Sequence, residues 1–405
     1  MKLIHTADWH LGQTFYGYDR SYEHRQMLAW LLHQIAETEA DLLLISGDVF
    51  DTPNPSAAAQ KLLFDFLHDA TQKCPNLKII ITAGNHDSGA RLESPSPILE
   101  SFNITVRGTV PRTEDNGIDF NHLIIPVSND ACCLAVPYLR IGDYPSTPNH
   151  NEGIKDMYAT LVQMAREQYG TIVAMGHLHA SDSILSTGDN SERIIIGGLD
   201  NVDISSVTQH ISYTALGHLH KAQSIGGHDN IRYSGAPLPM SFAERDNRQS
   251  ITLVTIENDK TQTKKIIYDT PVKLLSIPDE PQPLHEALSA IEALPKGEIT
   301  AVSPYLEIRI LVDGPEPTLR MQIEKALEGR SVRLTRIEAV SPKVENSTLA
   351  PLTYDELRNM SPIKLATDYY CRHYGQEQLP PVLKEMLMNT IKEVETENTN
   401  NETHK

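Results

Sequence analysis

Short apolar runs recur through the first half of the chain, and each of them stops at a polar segment. The runs cover residues 2–4, 42–45, 79–81, 171–175 and 213–216. Continuous apolar runs of this length, in contrast to alternating ones, are typical of strands that are buried on both faces. The pattern therefore predicts a series of buried strands, the first of which begins almost at residue 1.

Amphipathic helices are predicted between the early strands. Apolar residues at three- and four-residue spacing indicate a helix from about Ser21 to Thr38, and a second helix from about Ser56 to Asp69 begins at the N-cap Ser56. Such alternation implies βαβ units and a mostly parallel or mixed sheet with helices on both faces. Shorter strands are expected near 104–106, 122–127 and 132–137, a loop or lid over 143–153, and a hairpin from 250 to 268.

Metal-binding residue types follow every buried strand. Asp8 and His10 stand two residues apart after the first strand, so that an oxygen and a nitrogen donor could reach one ion. This pair alone is a weak signal, but further candidates follow the later strands: Asp48, Asn85, His86, Asp87, His177, His218 and His220. Ligands in open α/β folds lie at the carboxyl ends of the strands. We therefore expect a metal site at that edge.

Composition narrows the class of protein. The 405 residues are enough for two or three domains. With 35 basic and 53 acidic residues the net charge is −18, which argues against a general nucleic-acid or membrane coat but permits a local basic groove. The four cysteines form no C-x-x-C pair, and no apolar run approaches ~18 residues. We expect an α/β protein of a reducing cytoplasm, without a membrane segment.

The motif order resembles the calcineurin-like metallophosphoesterase superfamily. The motifs are D-x-H at 8–10, G-D-x-x-D at 47–51, G-N-H-D at 84–87, His177, and G-H-x-H at 217–220. The resemblance implies a β-sandwich flanked by helices that binds two divalent metal ions. One ion would be held by Asp8, His10, Asp48 and His220, and the other by Asp48, Asn85, His177 and His218. Mixed oxygen and nitrogen ligands favour Mn²⁺, with Mg²⁺ as the alternative.

The same resemblance assigns roles near these ligands. His86 would act on the phosphate or the leaving oxygen, and Asp87 would orient the other nitrogen of the His86 ring. The segment G-H-L-H occurs at both 176–179 and 217–220, and the superfamily pattern selects His177 as the ligand while His179 lies outside the ligand set. Archaeal and eukaryotic relatives have a histidine at the position of Asp51, so Asp51 is given only a supporting role.

The C-terminal third follows a different pattern. Residues 272–339 predict strand, helix, strand, helix and strand without a ligand cluster, as in a small α/β capping domain. Two amphipathic helices follow, at about 353–374 and 381–394; their apolar stripes either bind a partner or fold back on the cap. The expected division is 1–270 metallophosphoesterase domain, 271–340 capping domain, 341–394 linker and helical docking segment, and 395–405 disordered tail.

This layout, together with the loop F-Y-G-Y-D-R at 15–20, resembles the SbcD family of bacterial nuclease subunits. The loop is either simply packed or contacts DNA through Tyr16 and Arg20. The resemblance implies 3′–5′ exonuclease activity at duplex ends and endonuclease activity on single-stranded or hairpin DNA, in repair, recombination and replication. It also implies an SbcC-like SMC-type ATPase partner bound by the C-terminal helices, and a homodimer within a heterotetramer.

Two other function classes stay open at this point. The chain could be a stand-alone phosphodiesterase acting on a small phosphoester, or a degenerate, structural member of the superfamily. The intact ligand set argues against the degenerate member. The capping domain and the apolar helices argue against a small-molecule hydrolase, which needs neither.

Overall fold

The structure is a computed structural model that describes residues 1–145, 147, 149–184, 201–204, 208, 210–258, 260–312, 316–340, 361–374, 378–388 and 390. The strands are β1 Lys2–Thr6, β2 Thr14–Phe15, β3 Tyr18–Asp19, β4 Leu42–Ser46, β5 Lys78–Thr82, β6 Ile104–Arg107, β7 Ile124–Ser128, β8 Ala131–Ala135, β9 Thr171–His177, β10 His179–Ala180, β11 Asn201–Val202, β12 Tyr213–Gly217, β13 Gln223–Ile225, β14 His228–Tyr233, β15 Ser250–Glu257, β16 Lys260–Ile267, β17 Leu274–Pro283, β18 Tyr305–Leu311 and β19 Arg333–Val340. The helices are α1 Ser21–Thr38, α2 Ala57–Lys73, α3 Gly89–Glu93, α4 Ser96–Leu99, α5 His150–Ala165, α6 Leu284–Glu292, α7 Leu319–Ala326 and α8 Pro362–Tyr374.

Two six-stranded sheets form a sandwich. Their strand orders are β16-β15-β1-β4-β5-β6 and β13-β14-β12-β9-β8-β7. Strands β1, β4, β5 and β6 run parallel in the first sheet, as do β8, β9, β12 and β14 in the second. Apolar side chains such as Leu44 and Ile80 meet Val173 and Met175 between the sheets. Each sheet packs on the other sheet with one face and on helices with its second face. Its strands are therefore buried on both faces, which explains the continuous apolar runs.

Helices cover the outer faces of the sandwich. Helices α1 and α2 pack on the first sheet through residues such as Leu31 and Phe66, and α5 packs on the second through Met157 and Leu161. Ser56 caps α2 by accepting a hydrogen bond from the Ala59 backbone N–H at 3.2 Å. The predicted β-sandwich flanked by helices is confirmed.

Helix α5 differs from the expectation, because it begins inside the predicted loop or lid over 143–153. The Asn149 side chain accepts a hydrogen bond from the Glu152 backbone N–H at 2.9 Å and so starts the helix. Proline and asparagine next to this cap gave the segment the composition of a loop. The buried side chains of Ile154, Met157 and Leu161 recur at helical spacing and hold the helix on its sheet.

The C-terminal third has the predicted order β17, α6, β18, α7, β19, and its strands form one three-stranded sheet in that order. One compact unit of the chain comprises Met1–Ile310 and Glu316–Ala339, and a second comprises Leu311–Pro315 and Val340–Lys405. The four-domain division stays a prediction. In the second unit, α8 and residues 381–388 are helical, whereas 353–360, 391–394 and the tail 395–405 lie outside the described residues. Within the described residues, no helix has the length and apolarity needed to cross a bilayer.

Candidate metal centre

The predicted ligands lie together at one edge of the sandwich, where the loops after β1, β4, β5, β9 and β12 meet. Donor atoms of Asp8, His10 and His220 lie within 4.8 Å of one another, as do those of Asp8, Asp48 and His177. Oδ1 of Asn85 lies 3.0 Å from Nδ1 of His218 and also 3.0 Å from Nε2 of His177, which places Asn85 and His218 beside these clusters. The structure therefore brings together seven side chains that are far apart in the sequence.

The backbone is strained at these positions. Asp8, His10, Asp48 and His218 have φ angles of 55°, 45°, 47° and 108°, in the left-handed region that non-glycine residues rarely adopt. Such strain persists only where surrounding contacts enforce it, and it concentrates at functional sites. Each of the four residues lies within four residues of the end of a buried strand, so the well-packed sheets hold the loops in this conformation.

Gly84 and Gly217 allow the loops to approach one another closely. A Cβ atom at Gly84 would collide with the backbone nitrogen and the carboxylate of Asp48. A Cβ atom at Gly217 would collide with the backbone oxygen of Ser46. Because both collisions involve backbone atoms of the β4 loop, only glycine lets β5 and β12 deliver their ligands at these distances.

The first ligand group combines Asp8, His10 and His220. The Oδ1 atom of Asp8 accepts a hydrogen bond from the His218 backbone N–H at 3.0 Å. Its Oδ2 atom, like Nε2 of His10, has no hydrogen-bond partner in the part of the chain that the structure describes. Both side chains are buried, and a buried unpaired polar atom is costly. These atoms fit a divalent cation, which would satisfy them together.

The second group combines Asn85, His177 and His218. The Oδ1 atom of Asn85 lies 3.0 Å from Nε2 of His177 and 3.0 Å from Nδ1 of His218. The Nδ1 atom of His177 donates to the Ser46 carbonyl oxygen at 3.0 Å, which leaves Nε2 directed into the centre. An amide oxygen and imidazole nitrogens thus converge on one point, as a metal ion requires.

Asp48 lies between the two groups. Its Oδ2 atom is 3.3 Å from Nε2 of His177 and 3.8 Å from Nε2 of His10. Its Oδ1 atom accepts a hydrogen bond from the His86 backbone N–H at 2.8 Å. The single atom Oδ2 therefore faces ligands of both groups.

The electrostatics of the cluster also fit cations. Burial raises the pKa of the Asp8 carboxyl to about 7. Burial lowers the pKa of His218 to about 3. Burial also opposes the charged form of His177, but the Asp48 carboxylate outweighs it and raises the His177 pKa to about 9. Asp8 and Asp48 place two buried carboxylates among these imidazoles, and divalent ions bound there would supply the compensating positive charge.

His86 has a different partner from the predicted one. Its Nδ1 atom donates to the backbone oxygen of Asp51 at 3.0 Å. Both oxygens of Asp87 instead accept hydrogen bonds from backbone N–H groups. Oδ2 accepts from Val49 at 3.1 Å and from Gly84 at 2.9 Å, and Oδ1 accepts from Phe50 at 2.9 Å. The prediction that Asp87 orients the His86 ring is therefore wrong. Asp87 fixes the β4 and β5 loops to each other, and so acts on the centre indirectly.

Asp51 contacts the centre from two sides, and the supporting role predicted for it stays a prediction. Its backbone oxygen holds His86, and its carboxylate Oδ1 lies 3.3 Å from Nδ1 of His10. A carboxylate beside one ring nitrogen makes the other nitrogen the available ligand atom. The Asp51 side chain thus orients His10.

Glu244 is a functional residue that the sequence analysis missed. Its Oε1 atom lies 3.0 Å from Nδ1 of His220, and its Oε2 atom accepts the Met240 backbone N–H at 3.1 Å. Metal-binding histidines commonly donate their second ring nitrogen to such a carboxylate, which fixes the ring. Glu244 lies on a short 3-10 turn outside every metal motif, so the sequence carries no signal that separates it from a surface glutamate.

The two histidines of the 176–179 segment have different surroundings. Nε2 of His177 faces Asn85 and Asp48, whereas Nε2 of His179 lies 3.5 Å from the Ser183 hydroxyl. The His179 ring centre is 6.4 Å from that of His218. This geometry supports the choice of His177 as the ligand.

We expect His177→Ala to inactivate the protein and His179→Ala to leave most activity, because only His177 places a nitrogen among the ligands. Losing only the orienting partner of a ligand costs about 10–100-fold in metal affinity or activity, and losing the ligand itself should cost more. Metal stoichiometry and phosphodiester hydrolysis of the two matched variants test this. The reversed order of effects would mean that the ligand loop is shifted by two residues.

The loop 15–20 has one accessible and one inaccessible candidate for DNA contact. Arg20 is fully buried, and its guanidinium donates to Gln13, Glu23 and the Pro239 carbonyl oxygen at 2.6–2.8 Å. The prediction that Arg20 contacts DNA is wrong, because its donors are used inside the protein. The Tyr16 side chain is 43% exposed, so a nucleic-acid contact by Tyr16 stays a prediction.

Comparison with known proteins identifies the family. Residues 1–222 match the calcineurin-like phosphoesterase family, and residues 264–374 match the type 5 capsule protein repressor C-terminal domain. The chain is 35% identical over 370 residues to the SbcD component of nuclease SbcCD from Rhodobacter capsulatus, covering 87% of this chain and 90% of that protein. The SbcD component from Escherichia coli K12 is 28% identical, covering 89% of this chain and 92% of that protein. The SbcD component from Bacillus subtilis is 33% identical, covering 63% of this chain and 66% of that protein. The chain therefore belongs to the calcineurin-like phosphoesterase family and, within it, to the SbcD family of SbcCD nucleases.

Proposed function

We propose that this chain is the nuclease subunit of an SbcCD-type complex, a metal-dependent hydrolase of phosphodiester bonds in DNA. The observation that carries the proposal is the convergence of the two ligand groups on Asp48, with the His86 ring beside them. A degenerate, structural member of the family would have no reason to keep this strained and internally unsatisfied arrangement. The 3′–5′ polarity at duplex ends and the cutting of hairpins belong to the proposal.

The side chains at the centre have different roles in phosphodiester hydrolysis. Bound at the centre, divalent ions would activate a water molecule and stabilise negative charge on the phosphate. His86 is only half-buried and its ring centre lies 4.8 Å from that of His10, at the open side of the centre. Because Nδ1 donates to Asp51, Nε2 is the atom that can protonate the leaving oxygen or bind the phosphate. Glu244 and Asp51 orient ligands.

Manganese is the proposed metal. Imidazole nitrogens make up four of the seven predicted ligands, and Mg²⁺ prefers oxygen ligands. The carboxylates and the Asn85 oxygen still favour a hard ion over a soft one, which leaves Mn²⁺ as the best match. Hydrolysis measured after chelation and reloading with each metal tests this, and equal activity with Mg²⁺ would contradict it.

DNA is favoured over a small phosphoester as the substrate. The chain carries the second family domain over 264–374, which a small-molecule hydrolase does not need. With Mn²⁺ the protein should hydrolyse a small phosphodiester as well, because the metal centre alone suffices for that reaction. A linear duplex compared with a closed circle of the same sequence gives the test. Cleavage of the small ester with no cleavage of linear DNA, even with the ATPase partner present, would favour the alternative.

An SbcC-like ATPase is the proposed partner of the C-terminal helices. In the described part of these helices, large apolar side chains are exposed: Leu365, Tyr369, Val382, Leu383 and Met386. Exposed apolar side chains in contiguous segments commonly mark a protein interface. Val340–Lys405 together with Leu311–Pro315 form a compact unit of their own, which agrees with a docking element attached to a catalytic unit.

We therefore expect a chain cut after Val340 to bind metal and hydrolyse a small phosphodiester but to lose the ATPase. Burying a Leu or Met in a partner groove contributes roughly 1.5–3 kcal/mol, so removing several of them should abolish co-purification. Leu383→Asp with Met386→Asp in the full-length chain is the matched variant that avoids truncation. Undiminished binding by both proteins would show that the partner binds elsewhere.

A homodimer is the proposed arrangement of this protein, within a heterotetramer. Phe64 on α2, Ile98 on α4 and Phe102 are 39%, 69% and 51% exposed, and Phe64 also lines a groove with Pro95 and Leu99. A two-fold interface can bury one such patch against its own copy. We expect Ile98→Asp to shift the purified protein toward the monomer in sedimentation, while Ile141→Asp, at another exposed isoleucine, leaves it dimeric. A wild-type monomer would contradict the proposal.

The cytoplasm is the proposed location. Cys74, Cys132, Cys133 and Cys371 are all free thiols, as expected in a reducing compartment. Recovery of the protein in the periplasmic fraction would contradict this assignment.

A further inference from the structure

We propose that Tyr305, on strand β18 of the C-terminal α/β region, positions the metal ligand His220 through the segment 239–244. This inference rests on the metal centre of the proposed function. It makes the packing of the second family domain a determinant of ligand geometry, with Glu244 as the last positioning residue. Two sets of buried contacts connect Tyr305 to that segment.

The first set of contacts is a network of hydrogen bonds. The Tyr305 hydroxyl donates to Oε1 of Glu23 at 2.7 Å, and Oε2 of Glu23 accepts from Nη2 of Arg20 at 2.8 Å. Arg20 in turn donates from Nη1 to the Pro239 carbonyl oxygen at 2.8 Å. Tyr305, Glu23 and Arg20 are all buried, so water does not substitute easily for a lost member. This network fixes the start of the segment 239–244.

The second set of contacts is formed by aromatic rings. The Phe15 ring centre lies 4.6 Å from that of Tyr305 and 5.5 Å from that of Phe242, which belongs to the segment 239–244. On its other side, Tyr305 is covered by the Arg333 guanidinium, 3.8 Å from the ring centre. Aromatic and cation–π contacts at these distances define ring orientation as well as burial. The Tyr305 ring therefore also fixes the middle of the segment.

The end of the segment carries the effect to the metal centre. Oε2 of Glu244 accepts from the Met240 backbone N–H at 3.1 Å, so the position of the carboxylate depends on the conformation of the segment. Its Oε1 atom is 3.0 Å from Nδ1 of His220, which makes Nε2 of His220 the ligand atom. A shift at Pro239 or Phe242 thus moves the ring that completes the group of Asp8 and His10.

Tyr305→Phe tests the proposal, because it removes one hydroxyl and keeps the ring. The buried Oε1 of Glu23 then loses its donor, and the network that holds Pro239 relaxes. Tyr18→Phe is the matched control. It keeps a ring whose centre lies 5.9 Å from that of Tyr305, and it removes a hydroxyl that donates to the Leu334 backbone oxygen at 3.0 Å, outside the hydrogen-bond network. Both full-length variants are titrated with Mn²⁺ in a calorimeter, and kcat and KM for a small phosphodiester are measured beside thermal unfolding.

We expect Tyr305→Phe to weaken one of the two Mn²⁺ binding events by about tenfold and to lower kcat more than KM, with both events unchanged in Tyr18→Phe. Glu244→Gln should weaken the same event at least as much, and the double variant should be no worse than Glu244→Gln alone, because both act along one path. Unchanged Mn²⁺ binding in Tyr305→Phe, with or without a lower melting temperature, would overturn the inference. Additive losses in the double variant would overturn it too. A wild-type protein that binds no Mn²⁺ would overturn the proposed function itself.

Discussion

His86→Gln should lower phosphodiester hydrolysis by about 10²–10⁴-fold while both metal ions remain bound. This range is typical for the loss of a general acid or base. The expectation follows from two atoms of His86. Its backbone N–H donates to Oδ1 of Asp48, and that contact survives the substitution; its Nδ1 is held by the Asp51 carbonyl, so only Nε2 faces the substrate side. Glutamine fills similar space but cannot take up or release a proton near neutral pH.

The matched control for this prediction is His10→Gln. The His10 ring lies 4.8 Å from that of His86, yet its Nε2 belongs to the ligand cluster with Asp8 and His220. The same substitution at His10 should therefore lose an ion together with activity. Metal content by mass spectrometry, measured beside hydrolysis in both variants, separates the roles. Loss of an ion in His86→Gln would mean that His86 is a ligand.

The ligand set could be predicted because each ligand is attached to a strand end that the sequence marks clearly. A buried parallel strand has a continuous apolar run, and its carboxyl end is where the chain leaves the sheet. Asp8, Asp48 and Asn85 therefore appear as polar residues two or three positions after a buried strand ends. Their strained φ angles and the close approach at Gly84 depend on which strands become neighbours. The linear pattern does not contain that information.

Contacts between distant segments were the part that sequence analysis could not supply. The sequence left two interpretations of the Arg20 loop open, because aromatics with an arginine are found both in packed loops and in nucleic-acid contacts. Its burial depends on Glu23, Pro239 and Tyr305, which come from three separate regions of the chain. Glu244 shows the same limit, since it belongs to no motif and only the fold brings it to His220.

Asp48→Ala should remove both metal ions together, whereas His10→Ala should weaken mainly one. Oδ2 of Asp48 is 3.3 Å from the ring of His177 in one group and 3.8 Å from the ring of His10 in the other. Among the described residues, donor atoms of Asp48 lie within 4.8 Å of those of His10 on one side and of those of His177 on the other. Its carboxylate therefore contributes negative charge to both groups, and no single histidine does so.

The electrostatics of the site set the direction of this effect. Asp48 is the main reason that the His177 pKa is raised to about 9 despite burial, so its removal takes away the charge that attracts a cation there. On the other side, His10 and His220 would be left with Asp8 alone as a carboxylate. A lost ligand typically costs at least 10–100-fold in affinity, and here the loss applies to each ion.

Calorimetric titration of Mn²⁺ into the wild type, Asp48→Ala and His10→Ala gives the measurement. The expected result is two binding events in the wild type, one strong event in His10→Ala and none of comparable strength in Asp48→Ala. Asp48→Asn serves as the folding control, because it keeps the size of the side chain and its acceptor for the His86 N–H while removing the charge. If Asp48→Ala and His10→Ala lose the same single event and keep the other at wild-type affinity, Asp48 does not join the two groups and the ions must be held independently.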